Sequence, residues 1–206
     1  MGAPFHPSPE YAIRSMLDLA GVDSGSVVYD LGCGDGGIVV EAARHYGCRK
    51  VVGIEQSKKL CSIALAKTRG LKNASIIEAD YDSVDLSEAT VVTLYQSASE
   101  NARLKGKFLR ELSEGTTIVS HDYGIPGWHP KQFRTFNDHH RGYRVIVYVM
   151  GSQSPRRLGP GSGGLSPRAP KAAATRDVSG SHWTAGPRER ILQSLSGYIV
   201  LPSWKG

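Results

Sequence analysis

Residues 27–37, "VVYDLGCGDGG", join an apolar run to four glycines and two acids. An apolar run of strand length, a glycine turn and then "GIVVEAARHYG", which has helical length, read as strand, tight turn and helix. Two glycine patterns overlap in the turn. Gly32, Gly34 and Gly37 satisfy G-x-G-x-x-G, the spacing of dinucleotide-binding turns. Gly32, Gly34 and Gly36 satisfy G-x-G-x-G, with the acid Asp30 two residues ahead. Glycine spacing alone leaves both open, and the charges around the turn have to decide.

The same alternation extends in both directions. Upstream, "SPEYAIRSMLDLAG" predicts a helix with Ser8 as cap, Pro9 in the first turn, Glu10 at the positive end of the dipole and Gly21 as terminator. Ile13, Met16, Leu17 and Ala20 form its expected buried stripe. Downstream come strand "KVVGIE" ending at Glu55, a helix over Ser57 to Thr68, strand "ASIIEA" ending before Asp80 and strand "TVVTLY" ending at Tyr95. A helix over Ser99 to Leu112 and strand "TTIVSH" ending at His121 complete the series. Strands alternating with helices predict an α/β fold with a mostly parallel sheet and helices on both faces. After His121 the pattern breaks, and "QFRTF" with "GYRVIVYVM" predicts an antiparallel hairpin that finishes the sheet.

The chain has 206 residues, 40% of them hydrophobic, enough for one ordinary domain plus an extension. Residues 1–150 hold 17 Lys and Arg against 17 Asp and Glu, so the net charge of +6 belongs to residues 151–206. In that tail 24 of 56 residues are Gly, Pro or Ser, a composition that cannot bury enough apolar surface to offset its ordering entropy. Disorder is expected to about Gly186, with a short ordered segment at 187–204. No window approaches the about 18 uninterrupted apolar residues of a membrane span, and no signal peptide is expected. Three cysteines, Cys33, Cys48 and Cys61, without C-x-x-C spacing fit a reducing, cytoplasmic setting. A monomer is expected. Cys33 suits close ligand approach in the turn rather than reactive chemistry.

In open α/β sheets ligands bind beyond the carboxyl ends of the strands, where the strand order switches. Asp30, Glu55, Asp80 and Tyr95 each close a predicted strand, so several acids converge on one crevice. A dinucleotide would lay its anionic pyrophosphate over the turn, and carboxylates at Asp30 and Asp35 would oppose it. S-adenosylmethionine carries an ammonium and a sulfonium and no phosphate, which suits an acidic turn, and its carboxylate can use loop amides. Glu55 can accept both ribose hydroxyls, a task that would equally serve NAD. Asp80 is placed to accept from an adenine amino group.

From Pro4 to about Trp128 the chain resembles the class I methyltransferases, with their Rossmann-like fold, and more closely the small archaeal protein-lysine methyltransferases and their mitochondrial relatives. The matching pieces are "PFHPSPE", "VVYDLGCGDGGIVVEAARHYG", "VGIE", "EADYDSVDLSEATVVTLY", "FLRELSEGTTIVSH" and "GWHP". "DLGCGDG" identifies the superfamily, and "DLSEATVVTLY" followed by "GTTIVSHDYGIPGWHP" is more specific. The resemblance implies that Asp30, Gly32 and Gly34 form the methionine end of an S-adenosylmethionine site, that Glu55 binds ribose, and that Asp80 and Tyr81 flank adenine. It also implies that "HPSP" covers the cofactor, with Ser8 matching a usual threonine. Gly37 stands where relatives usually carry arginine, which alone creates the dinucleotide pattern. "LYQSASEN" replaces a more apolar, proline-containing run, making the acceptor-side wall more polar.

The reaction implied is methylation of lysine amines on proteins, so the partners are proteins with accessible lysines. Tyr95 is the catalytic candidate, orienting the amine through its hydroxyl or ring face. His121 and Asp122 offer a proton relay. With His129, His139 and His140 they could be drawn as a metal site, but irregular spacing argues against one and no metal is expected. Alternatives are methylation of RNA or a small molecule, or a nucleic-acid-binding role for the tail cations Arg156, Arg157, Arg168, Lys171 and Arg176. The tail has few aromatics for base stacking, which favours a solvated linker.

Overall fold

The computed structural model describes residues 7–137 and 142–152. Its elements are α1 (Glu10–Leu19), β1 (Val27–Leu31), α2 (Gly37–Arg44), β2 (Lys50–Glu55), α3 (Lys58–Thr68) and β3 (Ala74–Glu78), then a 3-10 turn at Tyr81–Ser83. They continue with β4 (Val91–Leu94), α4 (Ala98–Glu111), β5 (Thr117–His121), β6 (Gln132–Asn137) and β7 (Gly142–Val149). The seven strands form one sheet in the order β3-β2-β1-β4-β5-β7-β6. The first five run parallel, and β7 pairs antiparallel with both β5 and β6. This is the expected Rossmann-like class I methyltransferase fold, hairpin included. The tail from residue 153, with its expected disorder and ordered segment, lies outside the described residues.

All five residues of β1 are buried, because both faces of the central strand are covered. Val27, Tyr29 and Leu31 pack on one side with Leu104 and Phe108 of α4, and Val28 packs on the other with Met16 and Leu17 of α1 and Val39 of α2. Gly53 in β2 allows this second layer to close. A Cβ there would come within 2.7 Å of Val39, 2.8 Å of Cys33 Sγ and 2.9 Å of Ile76. Gly53→Ala is therefore expected to cost about 1–3 kcal/mol through overpacking, read as a lowered midpoint in urea unfolding.

Most expected boundaries hold to one residue, with differences where side chains found other partners. Ser8 does not cap α1: Pro9 occupies the cap position without a side-chain bond, and the Ser8 hydroxyl reaches His121 Nδ1 at 2.9 Å. The buried stripe of α1 takes Ala12 in place of Ala20, which lies beyond the helix and is only half-buried. Gly21 does end the helix in the left-handed region, at φ +69°. The turn at Tyr81–Ser83 was not expected, and Asp80 creates it by accepting from the Asp82 amide at 2.9 Å. Among the described residues no helix is long and apolar enough to cross a membrane.

Candidate active site

Strand order reverses between β1 and β4, so the crevice opens at their carboxyl ends. Register places Asp30 opposite Thr93, whose hydroxyl donates to Asp30 Oδ1 at 2.7 Å. The other carboxylate oxygen, Oδ2, is buried and has no partner among the described residues. Asp30 is 2% exposed. Burial, with Glu55 and Asp35 nearby, pushes its pKa up to about 7, against the Thr93 bond that lowers it. A buried carboxylate with an unmet oxygen fits a cationic group and rejects a phosphate.

The backbone of the turn separates the two glycine patterns. Gly32, Gly34 and Gly36 lie at φ +76°, +55° and +81°, in the region that favours glycine, whereas Gly37 opens α2 as an ordinary helical residue. A Cβ on Gly32 would fall 2.1 Å from Gln96 Nε2, and one on Gly36 would crowd Ala64 at 3.0 Å. The working pattern is thus G-x-G-x-G. Several amides of the turn are already used within the protein. Gly32 and Cys33 both donate to Ile54 O at 2.8 and 2.9 Å, Gly34 donates to Glu55 Oε2 at 3.0 Å, and Gly36 donates to Cys33 O at 2.9 Å. Those four N–H groups are committed inside the protein, so a ligand carboxylate that uses loop amides must use others.

Glu55 is more than a strand-end acid. Its Oε1 accepts from the Ser57 amide at 2.7 Å, at the cap of α3, while Oε2 holds Gly34. The expected contact with ribose would have to use the lone pairs left after these two bonds. Asp80 is exposed at the far side of β2 and β3, and Tyr81 beside it donates to Glu100 Oε2 at 2.7 Å while Arg103 stacks over its ring at 5.4 Å. Arg103 is also paired with Asp82 and Glu100. Asp35 pairs with Lys67. Burial next to Asp30 and Glu55 pushes the Cys33 thiol far up, which makes it inert.

On the acceptor side Tyr95 follows β4, its ring 4.1 Å from that of His121 and tilted by 32°. Its hydroxyl donates to Asp122 Oδ2 at 3.4 Å. His121 is fully buried and also faces Tyr143, whose ring is 5.5 Å away and in turn touches Tyr11. Gln96, not singled out from the sequence, folds over Gly32 and donates to Leu31 O at 3.1 Å. Asn101, also missed, is buried and ties the next loop through bonds to Tyr123 O and Gly124 O at 2.9 and 3.3 Å. Only the polar character of "LYQSASEN" hinted at these two. The structure brings Asp30, Gly32, Gly34, Glu55 and Tyr95 around the switch point, with Asp80 and Tyr81 along the rim. Among the described residues no three His, Cys, Asp or Glu side chains gather as a metal site, and His139 and His140 lie outside them.

Comparison with known proteins agrees with this geometry. A protein-lysine N-methyltransferase from Saccharolobus islandicus is 41% identical over 151 residues, which span 72% of this chain and 94% of that enzyme. The adenine nucleotide translocase lysine N-methyltransferase of Mus musculus is 32% identical over 121 residues, 57% of this chain and 52% of that protein. Among solved structures, one described as an RNA methyltransferase from Salinibacter ruber in complex with S-adenosyl-L-homocysteine superposes with a TM-score of 0.67. It is 36% identical and covers 74% of this chain and 99% of that one. The family model for the ANTKMT methyltransferase domain matches residues 30–132, starting at the buried Asp30, and with near-complete coverage of the archaeal relative it establishes that this chain belongs to that family.

Proposed function

We propose that this protein methylates lysine side-chain amines of other proteins, with S-adenosylmethionine as methyl donor and residues 1–150 as the catalytic domain. The observation that carries the acceptor class is the 41% identity to the archaeal protein-lysine N-methyltransferase over nearly its whole length. When bound, S-adenosylmethionine supplies a methyl carbon activated by a sulfonium. Asp30, Gly32 and Gly34 would hold its methionine end, Glu55 its ribose, and Asp80 with Tyr81 its adenine. Asp30 fits this role because its unmet oxygen needs a cation. Buried free thiols at Cys33, Cys48 and Cys61 support a cytoplasmic setting, and we take the working unit as a monomer.

The protein's remaining task is to align a neutral amine and exclude water. A lysine with a reference pKa of about 10.4 needs about 4–5 kcal/mol to lose its proton at pH 7. Desolvation and a positive charge nearby both reduce that cost. Tyr95 would orient the amine at the end of β4. Tyr95→Phe is expected to lower kcat on the order of tenfold, about one neutral hydrogen bond, with cofactor affinity unchanged by calorimetry.

A second reading, RNA methylation, has the Salinibacter ruber structure in its favour. The rim of the crevice argues against it. On the β3 and α4 side Glu78, Asp80, Asp82 and Glu100 lie at or beyond the carboxyl ends of the strands and Arg103 beside them is already paired, while Lys58, Lys59 and Arg144 are exposed cations elsewhere at this end of the sheet. The acidic stretch between β3 and α4 disfavours a phosphate backbone and favours a lysine-bearing segment. Incubation with S-adenosylmethionine and cell-extract proteins should give methyl-lysine by mass spectrometry. Methylated nucleosides without methyl-lysine would replace this reading with the second.

A further inference from the structure

Asp122 is the one non-glycine residue with positive φ among the described residues, at φ +60° directly after β5. That conformation costs a side-chain-bearing residue on the order of 1 kcal/mol, although Asp tolerates it better than most. Next to it, Tyr123 and Gly124 carry the chain away from the sheet. A glycine at 122 would relieve the strain, so the turn alone does not require a carboxylate here.

The carboxylate is engaged on two sides. Oδ1 accepts from the Arg144 amide at 3.0 Å, while the Asp122 amide donates to Arg144 O at 2.7 Å, which pins the residue to β7. Oδ2 accepts from the Tyr95 hydroxyl at 3.4 Å and lies 3.9 Å from His121 Nε2. The Tyr95 ring is clamped from its other side by the His121 imidazole, itself tied to Ser8. Left-handed backbone, β7 anchor and stacked imidazole together aim one carboxylate oxygen at the Tyr95 hydroxyl.

We infer that Asp122 is a positioning residue of the acceptor site, which takes the hydroxyl proton of Tyr95 in a hydrogen bond and so turns the oxygen lone pairs of Tyr95 toward the incoming amine. This rests on the proposed role of Tyr95. An amine attacking carbon has to point its lone pair at that carbon, and an acceptor for one of its N–H bonds fixes the angle. A tyrosine oxygen is such an acceptor only if its own proton is held elsewhere. Asp122 is not the base in this account. The 3.4 Å separation is long for a hydroxyl and a carboxylate, and leaves room to tighten when an acceptor fills the site.

The test compares Asp122→Gly, Asp122→Asn and Tyr95→Phe, singly and combined, in the full chain, measuring kcat and KM for a lysine-bearing protein acceptor, cofactor affinity, and Tm. Glycine keeps the backbone and removes the carboxylate. Asparagine keeps the backbone and can present an N–H₂ to the Tyr95 oxygen, occupying the lone pair. Both should lower kcat about five- to tenfold with cofactor affinity within twofold and Tm little changed in the glycine variant, where relieved strain offsets the lost bond to the Arg144 amide, and neither should slow Tyr95→Phe further. A normal kcat in Asp122→Gly beside a slow Tyr95→Phe overturns the role of Asp122 and leaves that of Tyr95. Losses that multiply in the double variants, or a kcat that falls only in step with Tm, also overturn it. A normal kcat in Tyr95→Phe overturns both.

Discussion

Asp30→Asn is expected to weaken S-adenosylmethionine binding by about a hundredfold or more, as for one partner lost from a buried charge pair, and yet to raise the Tm of the cofactor-free protein at pH 8. Both effects come from the same oxygen. Oδ2 is buried without a partner, and burial raises the pKa of the group from 3.8 to about 7. A folded-state pKa above the unfolded one means that the stability Asp30 contributes is fully present below about pH 3.8 and is lost as pH rises through about 7. Above that window the ionised, buried carboxylate costs roughly 4 kcal/mol relative to the unfolded chain. Asparagine keeps the acceptor for Thr93 and removes the charge, so its advantage is largest above pH 7 and shrinks toward pH 4. A cationic ligand needs the ionised form. Cofactor affinity of the unaltered protein should therefore fall as pH drops below 7, by about 50-fold between pH 7 and pH 5, and calorimetry should show proton release on binding. Affinity flat over that range would exclude Asp30 as the ammonium partner.

Glu55→Ala is expected to damage fold and site together. Its two oxygens hold the Gly34 amide of the turn and the Ser57 amide at the start of α3. Removing both acceptors leaves two amides to find water or go without, a cost of roughly 2–4 kcal/mol. The midpoint of urea unfolding should fall accordingly. Cofactor affinity should fall too, because Gly34 loses the bond that sets the turn. Glu55→Gln, which keeps one acceptor oxygen, should recover part of the stability. If Glu55→Ala lowered cofactor affinity with no change in unfolding, Glu55 would be a ligand-binding group without a structural role.

The parallel core was legible because its signal is periodic and local. The apolar runs of β1, β2, β4 and β5 place Asp30, Glu55, Tyr95 and His121 at their strand ends or within one residue of them, so position, though not partners, could be read directly. Partners were less legible because they depend on which strands become neighbours. Thr93 meets Asp30 only because β4 lies beside β1, and Gly34 meets Glu55 only because the turn folds back on β2. The two glycine patterns also needed backbone angles, since spacing cannot tell a left-handed Gly36 from a helical Gly37. Ser8 shows the opposite failure. Its place before Pro9 reads as a cap, but a histidine 113 residues away offers its hydroxyl a partner instead. The Asp122 conformation leaves no trace in "HDYG", because aspartate is acceptable in many turns.

We propose that an acidic crevice built around Asp30 and Tyr95 delivers methyl groups to protein lysines. The most direct measurement treats one cell extract with the protein and methyl-labelled S-adenosylmethionine, then divides it between nuclease and protease digestion. Label that survives nuclease, is released by protease and is recovered as methyl-lysine, and that disappears with Asp30→Asn, is the result expected. Label that follows the RNA and appears as methylated nucleosides, with none on lysine, would make nucleic acid, not protein lysine, the methyl acceptor.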